Sequence, residues 1–195
     1  MKDMKLVFAT GNPNKLKEVA QLVPSGCVLI GLEQVGITEE IQEPFNSLEA
    51  NALHKARYVF EKSGNPSFAD DTGLEIESLQ GEPGVFSARY AGPERRASDN
   101  IAKVLESMKM HQNRKAQFRT VIAWVDGQEE YVFEGIVHGL ITWKPIGDNG
   151  FGYDPIFVPD GQTKTFAELT MEQKGAMSHR AIAFKKLIDF LNSRQ

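Results

Sequence analysis

Four groups of residues in this chain have side chains or backbone suited to chemistry. The first is Gly147-Asp148-Asn149-Gly150-Phe151-Gly152-Tyr153-Asp154-Pro155. Its glycines and proline exclude a regular helix. Phe151, set between two glycines, is a ring on bare backbone, which suits stacking on a planar ligand. Taken alone, a turn with Phe151 and Tyr153 tucked into the core is the plainer account. The second group is Thr10-Gly11-Asn12-Pro13-Asn14-Lys15. Asn12 is a good N-cap, and Pro13 suits the first helical position. A helix beginning there offers N–H groups and partial positive charge to an anion, and Lys15 adds a full charge. An ordinary turn with a solvated lysine fits the same residues. The pattern is not a P-loop, because the second glycine and the Lys-Ser/Thr pair are missing.

The third group is Asp70-Asp71-Thr72-Gly73, expected just past a short strand at Ser67-Phe68-Ala69. Adjacent acids repel unless a cation offsets them. Carboxylate oxygens suit Mg²⁺, which takes one or two of them together with substrate phosphates. The competing account is a turn whose side chains bond the backbone. The fourth group is His179 and Arg180 in the first turn of the last helix, with Lys174 just upstream. Cations in a first turn oppose the helix dipole, and an anion docked there would reverse the sign. By itself this is as well read as a surface His-Arg pair. The acidic stretch with Glu39, Glu40 and Glu43 reads on its own as a solvated loop.

The elements that must hold these groups follow from periodicity. Lys5–Thr10 reads as a buried strand, followed by a helix with Leu16, Val19, Ala20 and Val23 on one face. Cys27–Ile30 reads as a second strand. A helix over about 47–62 follows, with Asn46 and Glu49 as a capping box and Gly64-Asn65-Pro66 as its stop. Leu48, Ala52, Ala56 and Val59 form its buried stripe. Asn51, Lys55 and Tyr58 share a second face at i, i+4 and i+7. Leu74–Leu79 is expected to be a separate strand, and Asp99–Met110 a helix. Ala116–Val125 and Glu130–Ile141 read as strands of a hairpin. A helix from about Ser178, with Phe184, Leu187, Ile188 and Leu191 on its core face, ends the chain. No repeat or low-complexity tract interrupts residues 1–195, so one compact domain is expected.

Composition narrows the function. Of 195 residues, 41% are hydrophobic and 25% charged, enough for a sizeable core. The net charge of -4 argues against a broad nucleic-acid surface but not against a small phosphate ligand. A single cysteine, Cys27, excludes an internal disulfide and a multi-cysteine zinc site. No membrane span or signal peptide is expected, and a reducing, cytoplasmic setting is the default.

Five segments together carry a resemblance. Thr10-Gly11-Asn12-x-x-Lys15, Ala69-Asp70-Asp71-Thr72-Gly73-Leu74, Pro83-Gly84-Val85-x-Ser87-Ala88-Arg89-Tyr90, Gly150-Phe151-Gly152-Tyr153-Asp154-Pro155 and Ser178-His179-Arg180 occur in order across nearly the whole chain. The sequence resembles the inosine triphosphate pyrophosphatase (Ham1/RdgB-type) family. That resemblance implies a mixed α/β fold, with a long twisted β-sheet and flanking helices forming two lobes around a central cleft. It implies a homodimer that hydrolyses ITP, dITP and XTP to the monophosphate and pyrophosphate with Mg²⁺. Carried over by position, Thr10, Gly11, Asn12, Pro13, Asn14 and Lys15 would bind phosphate, with Lys55 as a further contact. Asp71 would be metal ligand and proton acceptor, with Asp70 beside it, and Thr72 would touch substrate. Phe151, Gly152, Tyr153 and Asp154 would form the base segment, and Lys174, His179 and Arg180 would complete the nucleotide site. Register favours Glu43 as second metal carboxylate, with Glu40 as the alternative. The family's usual glutamate in the 47–52 motif is replaced by Ala50, with Glu49 next to it.

Overall fold

The computed structural model describes residues 4–194; Met1–Asp3 and Gln195 lie outside the described residues. The chain is mixed α/β. Strand β1 (Met4–Phe8) leads into helix α1 (Pro13–Ala20), and β2 (Cys27–Ile30) follows. Helix α2 (Leu48–Ser63) precedes β3 (Ser67–Ile76) and the short β4 (Pro83–Gly84). Helix α3 (Ala97–Ser107) leads to the hairpin of β5 (Lys115–Val125) and β6 (Glu130–Ile141). Strand β7 (Phe157–Pro159) and helices α4 (Met171–Gly175) and α5 (His179–Ser193) complete it. Among the described residues, seven strands form one sheet in the order β2-β1-β3-β5-β6-β7, with β4 beside β3. β1 pairs parallel with β2 and β3, whereas β3–β4 and β6–β7 are antiparallel.

Three sequence expectations shift. The N-cap of α2 is Ser47, whose Oγ accepts from Ala50 N at 3.2 Å, rather than Asn46. Helix α3 starts two residues earlier than expected and stops at Ser107. The expected break after Ala69 does not occur. β3 runs without interruption through Asp70-Asp71-Thr72-Gly73 to Ile76. Gly73 is there for close packing: a Cβ on it would lie 2.7 Å from the Gly84 carbonyl oxygen of β4. The acids nonetheless extend past a parallel strand end. β1 pairs with β3 through Phe8 and Phe68, and the Ala9 N–H then closes on the Phe68 carbonyl at 2.7 Å.

The chain resolves into two compact units. One takes in the chain through Asp71, Thr120–Gly135 and the segment from Arg180 on. Its core joins Leu6 and Phe8 of β1, Val19 of α1, Phe68 of β3, Ile122 and Trp124 of β5, and Phe184, Leu187 and Leu191 of α5. Phe8 and Phe68 stack with centroids 4.5 Å apart. The other unit is Thr72–Arg119 and Ile136–His179. Its core gathers Leu74, Ile76, Ile101, Val104, Met108, Phe118, Ile141, Tyr153, Ile156, Phe157 and Phe166.

Candidate active site

The first unit places charged residues from four elements around the acid pair. Successive side chains of a strand leave opposite faces, so Asp70 and Asp71 engage different partners although both are buried. Asp70 is salt-bridged to Lys15 of α1 (Nζ–Oδ1 3.0 Å) and to Arg180 of α5 (Nε–Oδ2 3.0 Å). Arg180, 1% exposed, also pairs with Glu18 of α1. Burial alone would raise the Asp70 carboxyl, but Lys15, Arg180 and Lys55 outweigh it and hold it well below the usual carboxylate range.

Asp71 behaves differently. Its Oδ2 accepts from Asn51 Nδ2 of α2 at 3.1 Å. Burial pushes its carboxyl up more than Lys55 and Lys15 draw it down, and the nearby Glu43 charge adds to the rise. Lys55, one turn beyond Asn51, donates to the Asp70 carbonyl at 2.7 Å and pairs with Glu43. Burial opposes its charge, but Asp71, Glu43 and Asp70 outweigh that and raise its pKa.

The turn at Thr10–Lys15 is built as expected at its cap. Asn12 Oδ1 accepts from Asn14 N (2.9 Å) and Lys15 N (3.3 Å), and Thr10 Oγ1 accepts from Asn12 N at 3.2 Å. Pro13 opens α1 next to the exposed Gly11. Two N–H groups that an anion would use are thus taken by Asn12, and Lys15 is turned toward Asp70 rather than solvent. Of the two metal-ligand alternatives, Glu43 is half-buried against Lys55 and its charge reaches Asp71, whereas Glu40 is exposed. Among the described residues no three His, Cys, Asp or Glu side chains converge as a metal cluster. A site here would have to be completed by other oxygens. Four acids (Glu18, Glu43, Asp70, Asp71) face three cations (Lys15, Lys55, Arg180), so the group is acidic by one charge when all are ionised. Glu18 and Asn51 were not foreseen as site residues. Asn51 was visible on the second face of α2, and Glu18 lies one turn after Lys15.

The second unit holds a separate group. Asp154, buried, accepts on Oδ2 from Phe151 N at 2.8 Å and pairs through it with Lys174 Nζ at 2.5 Å. Lys174 lies 4.9 Å from the Phe151 ring centroid and 5.5 Å from that of Phe166. Gly150 is required here: its φ is +73°, and a Cβ would sit 2.1 Å from Asp154 Oδ2. Phe151 is half-buried, and Gly152 beside it has positive φ. Tyr153 turns into the core instead, its hydroxyl donating to the Ser87 carbonyl at 2.8 Å. His179 is buried against Phe118, ring centroids 4.6 Å apart. The neighbours His179 and Arg180 therefore serve different groups, the second with Asp70. Thr72 is half-buried within β3.

Residues 6–190 match the model of the Ham1 family. The chain is 47% identical over 190 residues to the dITP/XTP pyrophosphatase of Flavobacterium johnsoniae, covering 97% of this chain and 99% of that one. It is 44% identical over 191 residues to the dITP/XTP pyrophosphatase of Bacillus subtilis, covering 96% of each. The solved structure of the Staphylococcus aureus Ham1 protein superposes with a TM-score of 0.88 at 37% identity, over 98% of this chain and all of that one. A full-length match in sequence and fold makes this chain a member of the Ham1 family.

Proposed function

We propose that this protein hydrolyses non-standard purine nucleoside triphosphates (dITP, XTP and ITP) to the monophosphate and pyrophosphate, with Mg²⁺, and works as a homodimer. The dITP/XTP pyrophosphatases to which the chain is similar support the substrate class. The observation that carries the reading is Asp71, a buried carboxylate raised by burial and held by Asn51 close to the Lys55 and Lys15 charges. A carboxylate raised toward neutrality accepts a proton more readily than an ordinary one.

In this reading a water oxygen bonds to the α-phosphorus, the bond from that phosphorus to the bridging oxygen breaks, and pyrophosphate leaves with the electron pair. Asp71 takes the proton. Lys15 and Lys55 hold phosphate charge, and Thr10–Asn14 shape the turn beside them. The donor set fits Mg²⁺: two carboxylates, Asp71 and Glu43, would hold it, and the substrate's phosphate oxygens would complete it. When bound, that ion would neutralise charge on the triphosphate, which an acidic group would otherwise repel. Phe151 would stack on the purine, on a segment braced by Asp154, Lys174 and the Tyr153 anchor. A donor aimed at O6 would meet an amino group on adenine and be left unpaired, which favours a 6-oxo purine.

The test is turnover of dITP and XTP beside dATP and dGTP, with and without Mg²⁺, assaying pyrophosphate and orthophosphate separately. Mg²⁺-dependent pyrophosphate from dITP and XTP alone is the expected result. Orthophosphate, or equal use of dATP, would overturn the reading in favour of a less selective phosphatase.

A further inference from the structure

Asn51 is fully buried, and its side-chain amide is used on three sides. Its Oδ1 accepts from Phe45 N at 2.9 Å, and its Nδ2 donates to Phe45 O at 3.1 Å. The same Nδ2 donates to Asp71 Oδ2 at 3.1 Å. A primary amide has two N–H donors and one carbonyl acceptor, and this one engages both functions. No other side chain of similar size can do so. Aspartate would bring no donor and would repel Asp71, and serine has one hydroxyl and a shorter reach. The loop so gripped is the one that carries Glu43, two residues before Phe45. Farther along the same helical face, Lys55 pairs with Glu43, and the Tyr58 hydroxyl donates to Glu39. Residues 51, 55 and 58 thus meet 45, 43 and 39 in turn, so the loop runs antiparallel along α2 and is fastened at three points. Two of these points also reach β3: Lys55 through the Asp70 carbonyl, and Asn51 through the Asp71 carboxylate itself.

We propose that Asn51 is a positioning residue: it locks the Glu43-bearing loop and the Asp71-bearing strand to one helix, so that the two carboxylates are presented as a single pair. This rests on the proposed hydrolysis. Its consequence is specific, because a loosened clamp separates the carboxylates without removing either. Losing a partner that orients such ligands typically costs about 10- to 100-fold in metal affinity or activity.

The experiment pairs Asn51→Ala with two changes on the loop side. Phe45→Pro deletes the N–H that Asn51 Oδ1 receives, leaving the helix untouched. Phe45→Ala keeps that N–H and serves as its matched control; Phe45 is 45% exposed, and its ring lies edge-on to His54. Mg²⁺ affinity of the nucleotide-free protein is read by titration calorimetry, and kcat and KM for dITP at saturating Mg²⁺ are read by pyrophosphate release. The expected result is that Asn51→Ala and Phe45→Pro each weaken Mg²⁺ binding and lower kcat by about tenfold or more, with a smaller change in KM, while Phe45→Ala stays close to wild type. A folded Asn51→Ala protein with unchanged Mg²⁺ affinity and kcat would overturn the proposal, as would Phe45→Pro and Phe45→Ala behaving alike. If Asn51→Ala fails to fold, the Phe45 pair decides. If the wild type releases no pyrophosphate from dITP or XTP, the hydrolase reading fails on its own, and the calorimetric comparison still decides the clamp.

Discussion

Asp70 and Asp71 are neighbours in sequence with opposite electrostatics, and the difference sets what each substitution should do. Burial of Asp71 costs its charge more than Lys55 and Lys15 return, so that charge is costly to the fold and available to chemistry. Asp71→Asn should lower kcat by about 10²- to 10⁴-fold without lowering Tm, because the amide oxygen can still accept from Asn51. A wild-type kcat would remove Asp71 from the reaction. Asp70 is the anchor of two salt bridges, and deleting its charge takes a carboxylate away from both the buried Arg180 and Lys15. Asp70→Asn should destabilise by about 3–5 kcal/mol, as loss of one partner from a buried pair does. The pH dependence follows in sign. A carboxyl depressed in the fold contributes stability that is whole above its ordinary value near 3.8 and is lost as pH falls through its lower folded value. Denaturation curves of wild type and Asp70→Asn should therefore lie far apart at pH 7 and converge as pH drops below about 4. A gap that stays constant would mean that Asp70 is not the linked group.

At the scale of elements, Gly150 is where backbone and side chain most tightly constrain one another. Its positive φ and the 2.1 Å approach of Asp154 Oδ2 to a would-be Cβ leave alanine no place without moving Asp154. That shift would pull on both the Phe151 N–H and Lys174. Gly150→Ala should cost about 1–3 kcal/mol and raise KM for dITP more than it lowers kcat. Unchanged KM would show that this segment does not grip the base. Much of this architecture was legible in the sequence. The boundaries of β6 and the cap at Asn12 follow from alternation and capping chemistry that act locally. β3 was misread as two pieces, because Asp-Asp-Thr-Gly carries the local signals of a turn. What overrides them is distant in sequence: Gly84 of β4 packing against Gly73, and Lys15, Asn51 and Arg180 satisfying the acids. The periodicity of α2 exposed Asn51, Lys55 and Tyr58 as one face, but nothing local says that this face holds a loop. Likewise the adjacency of His179 and Arg180 hid that one joins an aromatic core and the other a salt-bridge group. Tyr153 and Phe151 look equivalent around Gly152, and only the Ser87 carbonyl distinguishes them.

For the whole molecule, the separation between what holds the fold and what is asked of a metal is itself testable. Each unit is built on its own apolar core, one around Phe8, Phe68 and Phe184 and the other around Phe118, Phe157 and Phe166. The residues named in both cores are apolar, and among the described residues no three His, Cys, Asp or Glu side chains converge as a metal cluster. A protein whose core is carried by a metal unfolds when the metal is removed. This one should not. Treatment with a chelator should abolish pyrophosphate release while leaving the circular dichroism spectrum and a cooperative melt in place. Restoring Mg²⁺ should recover turnover and raise Tm, because an ion that binds only the folded state at about 100 times its Kd adds about 2.7 kcal/mol. Loss of the fold on chelation would mean that the acidic group around Asp71 and Glu43 supports the structure rather than the chemistry. Unchanged turnover in chelator would leave Lys15, Lys55 and Arg180 as sole partners of the triphosphate, and the assignment of Asp71 and Glu43 as metal ligands would fall.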